Sequence, residues 1–276
     1  MTTDRFEPFF IDGPAGRIFA LLRAPAEADR CVLFVPPFGE EMNKSRRQFT
    51  ETTVDLVARG HAALLIDLYG TGDSEGDFSD ASWSAWKQSV TAAVAWAGAN
   101  ALAVESLVAM RLGCALAAEA LSDAGHQLTK SVFWQPVASG AQFMTQFLRL
   151  RVAASMMEDG DQQTVDDLKK RLDSGETLQI SGYPVTPELW RGIEQVSLAE
   201  NLGKHLGSLK IFETGRARDG GLSPAGQRIV SAAEQCDLDV DGQRVAGDPF
   251  WMATEIVVNA ELRKSTVEWL LGEVSS

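Results

Sequence analysis

The sequence predicts an α/β fold, a mostly parallel central sheet with helices on both faces. Three observations predict it. Short apolar runs of strand length alternate with longer stretches of helical periodicity, and most of the runs end in a Pro or Gly turn. The length, 276 residues with 45% apolar and 23% charged side chains, is enough to bury a large core.

The elements follow in order. Alternating runs at 6–11 and 17–22 flank Gly13-Pro14-Ala15-Gly16 and read as an N-terminal hairpin. A buried strand at 31–35 ends at Pro36-Pro37, and a helix over 46–59 spaces Phe49, Val54, Leu56 and Val57 on one side. A second buried strand, 62–67, runs into Tyr69-Gly70-Thr71-Gly72. The helix 81–99 carries Trp83, Trp86, Val90, Val94 and Ala97 on one stripe, which makes the tryptophans core residues. Strand 106–110 leads to an Ala-rich helix, 112–121, and strand 131–134 ends at Gln135-Pro136.

The rhythm then breaks between about 137 and 205. Phe143, Met144, Phe147, Leu148 and Met156 form an amphipathic helix, followed by a charged helical stretch at 161–172 and a short alternating run at 178–182. An insertion between core strands reads as a helical lid, and the alternative is a packing appendage. The core pattern resumes with a strand at 209–213, a helix near 224–234, a strand at 236–245 and a closing helix at 254–271. No linker divides the chain, so residues 1–276 are expected to form one domain.

Charge and composition exclude several classes. With 25 Lys+Arg against 38 Asp+Glu the net charge is −13, and no basic run is longer than Lys44-Ser45-Arg46-Arg47, so nucleic acid is not an expected partner. No stretch reaches the ~18 apolar residues of a membrane span, and MTTDRFEPFF does not read as a secretory leader. Cys31, Cys114 and Cys236 are scattered in apolar company, which fits neither a disulfide framework nor a metal site. The expectation is a soluble, reduced, cytoplasmic protein without a cofactor. Gly70-x-Gly72 after a strand lacks the third glycine of a dinucleotide fingerprint, because Glu75 stands there.

Three segments carry a resemblance. The first is the strand and loop FVPPFGEEMN at 34–43. The second is the turn DLYGTGDSEG at 67–76, of the form D-x-x-G-x-G-x-S. The third is the strand-turn-helix LVAMRLGC at 107–114, where a G-x-S-x-G elbow belongs. Together they resemble an α/β-hydrolase over nearly the whole chain. The phrases PPFGEEMNKSRR, DLYGTGDSEGDF, MRLG, FWQPVASG, QFLRLR and GDPFW are similar to the hydrolase 2 family of the exosortase A system. Members of that family are encoded beside genes for exopolysaccharide production. The resemblance implies a hydrolase or acyl-transfer enzyme acting on an ester or acylated saccharide, and a protein partner in the same system.

The same alignment of motifs assigns site positions. Arg111 takes the nucleophile's place, Asp219 the acid's, and Asp248 the histidine's, since the last histidine in the sequence is His205. A guanidinium stays protonated and cannot accept an acyl group, so no Ser-His-Asp triad is expected. Phe38 and Gly39 lie in the loop that supplies one oxyanion-hole donor, and Leu112 supplies the other N–H. Arg111 at a helix start faces a loop carrying Glu40, Glu41 and Asn43, beside Lys44. It is expected either to pair with Glu40 or Glu41, or to bind a ligand carboxylate or phosphate. Cys114 reads as a buried inert thiol, Ser74 and Ser106 as structural, and His61 and His126 as cap or surface residues. His205 alone could reach the site, through the lid. Two functions stay open: unconventional hydrolysis or acyl transfer with Glu40 or Glu41 as base, and a non-catalytic protein that binds a small anionic or acylated ligand or a protein partner.

Overall fold

A computed structural model of the protein describes residues 4–155, 163–215 and 220–272. Its sheet contains β1 (Arg5–Asp12), β2 (Arg17–Ala24), β3 (Arg30–Val35), β4 (Ala62–Ile66), β5 (Ala103–Met110) and β6 (Lys130–Trp134). After an insertion that holds the small hairpin β7 (Leu178–Ile180) and β8 (Tyr183–Val185), it is completed by β9 (Ser208–Gly215) and β10 (Val240–Ala246). The order is β1-β2-β4-β3-β5-β6-β9-β10. β1 and β2 form the predicted hairpin, β2 meets β4 antiparallel, and every later neighbour is parallel.

Helices α1 (Glu40–Val57), α2 (Trp83–Ala99) and α3 (Leu112–Asp123) follow β3, β4 and β5. The last two are α7 (Pro224–Gln235) and α8 (Ala260–Leu271). Side-chain alternation along the central strands divides the core into two layers. Leu33, Leu107 and Ala109 belong with Trp86, Val90 and Ala115 of α2 and α3. Phe34, Val108 and Met110 belong with Phe49 and Leu56 of α1 and Leu262 and Val267 of α8. Strands buried on both sides read as unbroken apolar runs, which is why the sequence shows them without alternation. Polar ties close this second layer: Trp134 Nε1 donates to Thr266 Oγ1 at 2.9 Å, and Asn259 caps α8 through Leu262 N at 2.9 Å.

The D-x-x-G-x-G-x-S turn is a structural knot. Asp67 Oδ2 accepts from Arg46 Nη2 and from Asp73 N, each at 2.9 Å, while Ser74 Oγ donates to Asp67 O and accepts from Phe19 N. It locks the loop after β4 to α1 and β2, and Ser74 is structural as expected.

Some boundaries differ from the sequence reading, each for a physical reason. α1 begins at Glu40, because its first turn is acidic and suits a helix N-terminus although it shows no apolar period. β10 begins at Val240, since Cys236 caps α7 and Asp237 has φ 53°. α8 begins only at Ala260; residues 254–259 are a loop held by Lys44 Nζ on Thr254 O (3.1 Å) and by Gln48 Oε1 on Asn259 N (2.7 Å). The insertion contains α4 (Gly140–Ser155), α5 (Val165–Asp173) and α6 (Pro187–Glu194). α6 and β8 went unseen, although Thr186 caps α6 and Pro187 opens it. Met156 and residues 161–162 of the expected helices lie outside the described residues.

The insertion packs at the carboxyl end of the sheet. Phe143 and Phe147 of α4 meet Phe38, in the loop after β3, with ring centroids 5.5 and 5.1 Å apart.

Candidate functional site

Arg111 is the single residue between β5 and α3, and its backbone has φ 55° and ψ −123°. A side chain other than glycine pays about 1–3 kcal/mol in such a conformation, so the surroundings must impose it. Arg111 N donates to Trp134 O at 2.9 Å, and Arg111 O accepts from Cys114 N and Val137 N at 3.2 and 3.3 Å. The residue that ends the neighbouring strand–helix turn, Gly39 between β3 and α1, has φ 54° and ψ −127°. Two helices therefore start side by side at the carboxyl edge of adjacent parallel strands. The N–H of Leu112, first in α3, has no acceptor within its own helix. The turns approach so closely that a Cβ on Gly113 would lie 2.3 Å from Pro36 O.

The Arg111 side chain is 17% exposed and well partnered. Its Nε donates to Glu41 Oε1 at 3.0 Å, its Nη1 donates to Gln135 O at 3.3 Å, and the guanidinium carbon lies 5.3 Å from the centre of the Trp251 ring. Burial pushes the Glu41 carboxyl above its ordinary range, and the attraction of Arg111 only partly opposes this. Glu41 Oε2 and Trp251 Nε1 are both buried without a hydrogen-bond partner.

The other expected residues are distributed unevenly. Phe38 is buried in an aromatic cluster with Phe78, Trp86, Phe143 and Phe147, all at centroid distances of 5.1–5.8 Å. Below it, Phe38, Gly39, Leu112 and Gly113 line an apolar crevice with about 10 Å³ of free space, room for one water at most. Glu40 and Asn43 do not face Arg111. Both are exposed, Asn43 Nδ2 donates to Glu40 Oε2 at 2.9 Å, and Tyr183 of β8 donates to the same oxygen at 3.4 Å. Helical spacing explains the split: Glu41 lies on the face of α1 turned toward the sheet with Ser45 and Gln48, whereas Glu40 and Asn43, one turn apart, are rotated to solvent. Asp248 is exposed on the loop after β10, and it is Trp251 that this loop brings to Arg111. Asp219 lies outside the described residues.

His205 does not approach the elbow. It precedes β9 and hydrogen-bonds to Ala118 O, two turns along α3, at 3.0 Å. His126 bonds Val104 O at 2.8 Å, and His61 sits before β4 at the opposite end of the sheet. Burial raises the Cys114 thiol well above its usual range, which fits an inert core cysteine. Gln135, with φ 47°, and Trp251 were missed as partners of Arg111. The usable signal was chemical: a partly buried arginine needs an acceptor and an aromatic or carboxylate cover, and Trp251 is the aromatic of the loop where a histidine was sought. Among the described residues no group of His, Cys, Asp and Glu side chains could hold a metal ion, and no helix is long and apolar enough to cross a membrane.

Comparison with known proteins agrees with the fold. The family model of X-Pro dipeptidyl-peptidase (S15 family) matches residues 25–115, from just before β3 into the first turn of α3. Est1E from Butyrivibrio proteoclasticus superposes with TM-score 0.67 at 14% identity, over 98% of this chain and 99% of its own. The chain has the α/β-hydrolase fold. The proline iminopeptidase-related protein of Thermus thermophilus shares this fold at TM-score 0.62 and 15% identity, over 98% and 99% of the two chains. Carboxyl esterase 2 from Tuber melanosporum does so at TM-score 0.60 and 15% identity, over 99% of this chain and 85% of the esterase. No curated protein matches the sequence. In α/β-hydrolases the nucleophile elbow is a sharp strand-to-helix turn, and the backbone N–H after the nucleophile faces the oxyanion.

Proposed function

We propose that this α/β-hydrolase-fold protein binds a small acylated molecule at the elbow without forming a serine ester. One observation carries the reading. The nucleophile's seat holds Arg111, whose guanidinium is engaged by Glu41, the Gln135 carbonyl and Trp251. A permanently protonated guanidinium cannot attack a carbonyl, and the three histidines of the chain lie away from it. The backbone offers parts of an acyl site: the paired turns at Gly39 and Arg111, the N–H of Leu112, which has no acceptor within its own helix, and the apolar crevice beneath. Residues 137–205 then serve as a lid, a role supported by the seating of α4 on Phe38. Because Glu41 already neutralises Arg111, an acyl group suits the site better than a free anion, which would displace Glu41.

A serine-directed fluorophosphonate probe and a panel of short acyl esters test this. The expected result is calorimetrically detectable ester binding with neither labelling nor turnover. Stoichiometric labelling of any serine, lost on mild denaturation, would overturn it.

A second reading rests on Glu41. Its Oε2 is buried and unpartnered, and burial lifts its pKa toward the range in which a carboxylate works as a general base. Activation of water by Glu41 would make the protein a hydrolase or acyl-transfer enzyme. The likeness of its motifs to the exosortase A hydrolase 2 family supports an ester or acylated saccharide of exopolysaccharide assembly as substrate. Ester turnover abolished by Glu41→Gln and unaffected by fluorophosphonate would favour this reading over the first.

A further inference from the structure

The crevice under the elbow shares one lining residue with a much larger space. Trp83, the first residue of α2, lines the crevice of about 10 Å³ and also lines a cleft of about 430 Å³ where α2 and α3 meet α6. Trp83 is 6% exposed and is the one lining residue that the two share. It is held from the cleft side, where Nε1 donates to Glu119 Oε2 at 2.9 Å and Lys87 Nζ holds the other carboxylate oxygen at 2.8 Å. Nothing of acyl size enters the crevice as it stands, yet a cleft of several hundred Å³ between core and insertion is of ligand size.

We infer that this cleft is the binding site for the head group of the ligand, that the head group is neutral and rich in hydroxyls, and that Trp83 is the gate through which the apolar arm reaches the elbow. The inference rests on the acylated-ligand reading above. The lining chemistry selects the head group. Glu119, Glu188 and Glu200 outnumber Lys87, so a carboxylate or phosphate is repelled. The amides of Gln195 and Asn201 offer donors and acceptors together, as do the carboxylates and ammonium taken as a set, and clustered hydroxyls use both. The crevice itself has apolar walls, with Leu68, Trp86, Leu112 and Leu116 among them, and takes an alkyl chain only once the indole has moved. Rotation of the indole breaks one hydrogen bond and joins the compartments, while Glu119 keeps Lys87.

The experiment titrates the full chain with a glucose octanoate ester, octanoate and octanoyl phosphate, followed by calorimetry and stopped-flow tryptophan fluorescence. The ester is expected to bind tightest. The paired substitution Gln195→Ala and Asn201→Ala should weaken it about tenfold, the loss of two modest hydrogen bonds. Reversing the exposed carboxylates, Glu188→Lys with Glu200→Lys, should improve octanoyl phosphate about tenfold. Trp83→Phe keeps an aromatic plug but loses the tether to Glu119, and should speed ester association several-fold. Ester binding unchanged in all three variants would show that the ligand enters over the elbow, overturning the gate and cleft but not the acylated-ligand reading. Failure of all three probes to bind the unaltered protein would overturn both.

Discussion

Arg111 and Gly39 hold the same backbone conformation, φ 55°, ψ −123° and φ 54°, ψ −127°, at the ends of adjacent parallel strands. Glycine adopts it without steric cost, whereas arginine keeps it only because β6 and the following loop bond its N–H and carbonyl. On the reading proposed above, an arginine fills the strand-to-helix turn where a hydrolase would carry its nucleophile. The guanidinium, not a nucleophile, organises the surrounding loops.

Removing the guanidinium should therefore expose a dependence. Arg111→Ala leaves the Glu41 carboxylate partly buried and unpaired, a loss of about 2 kcal/mol after allowance for the residual exposure of both side chains. The double variant with Glu41→Ala should lose less than the sum of the two single changes. Urea denaturation of the four proteins measures the coupling, and strict additivity would mean that the pair is idle.

The raised pKa of Glu41 has a pH signature. In the folded state this carboxyl binds its proton more tightly than the ordinary value of 4.5. Folding is then favoured fully below that value, and the contribution is lost as pH rises from 4.5 through the raised folded value. Relative to Glu41→Gln, which does not titrate, the unaltered protein should lose stability over this window. Stability curves of equal slope for the two proteins would contradict the assignment.

Introducing a hydroxyl at the turn should not create serine-esterase activity. Arg111→Ser places a serine on the elbow, but Trp251 stands on the loop from which a base would come and His205 is fixed on α3. Hydrolysis of a p-nitrophenyl ester by this variant should match buffer alone. Turnover sensitive to fluorophosphonate would reveal a base that the geometry does not show.

Close approach makes Gly113 a stringent position. In Gly113→Ala the new methyl meets the Pro36 carbonyl, a backbone atom that cannot swing aside as a flexible side chain could. The variant should unfold at a markedly lower denaturant concentration, by a few kcal/mol of overpacking strain. A midpoint like that of the unaltered protein would show that α3 can slide on β3.

Much of this molecule was legible in one dimension because its signals are local. Apolar runs ending at Pro36-Pro37, at the turn of Gly70 and Gly72 and at Gln135-Pro136 announce strands buried on both faces, and the stripe from Trp83 to Ala97 announces a packed helix. The arginine at the strand-to-helix turn was equally plain, since the residues around Arg111 are contiguous. What was hidden depends on contacts between distant segments. Glu40 and Glu41 are adjacent and chemically alike, and only the rotation of α1 against the sheet sends one to Arg111 and the other to Asn43 and Tyr183. Trp251 is 140 positions from Arg111, and the parallel crossover to β10 brings it there. Periodicity and turn chemistry act over a few residues and so can be read along the chain. The partner of a buried charge is chosen by packing across it, where desolvation makes each mispairing costly, and that choice exists only in three dimensions.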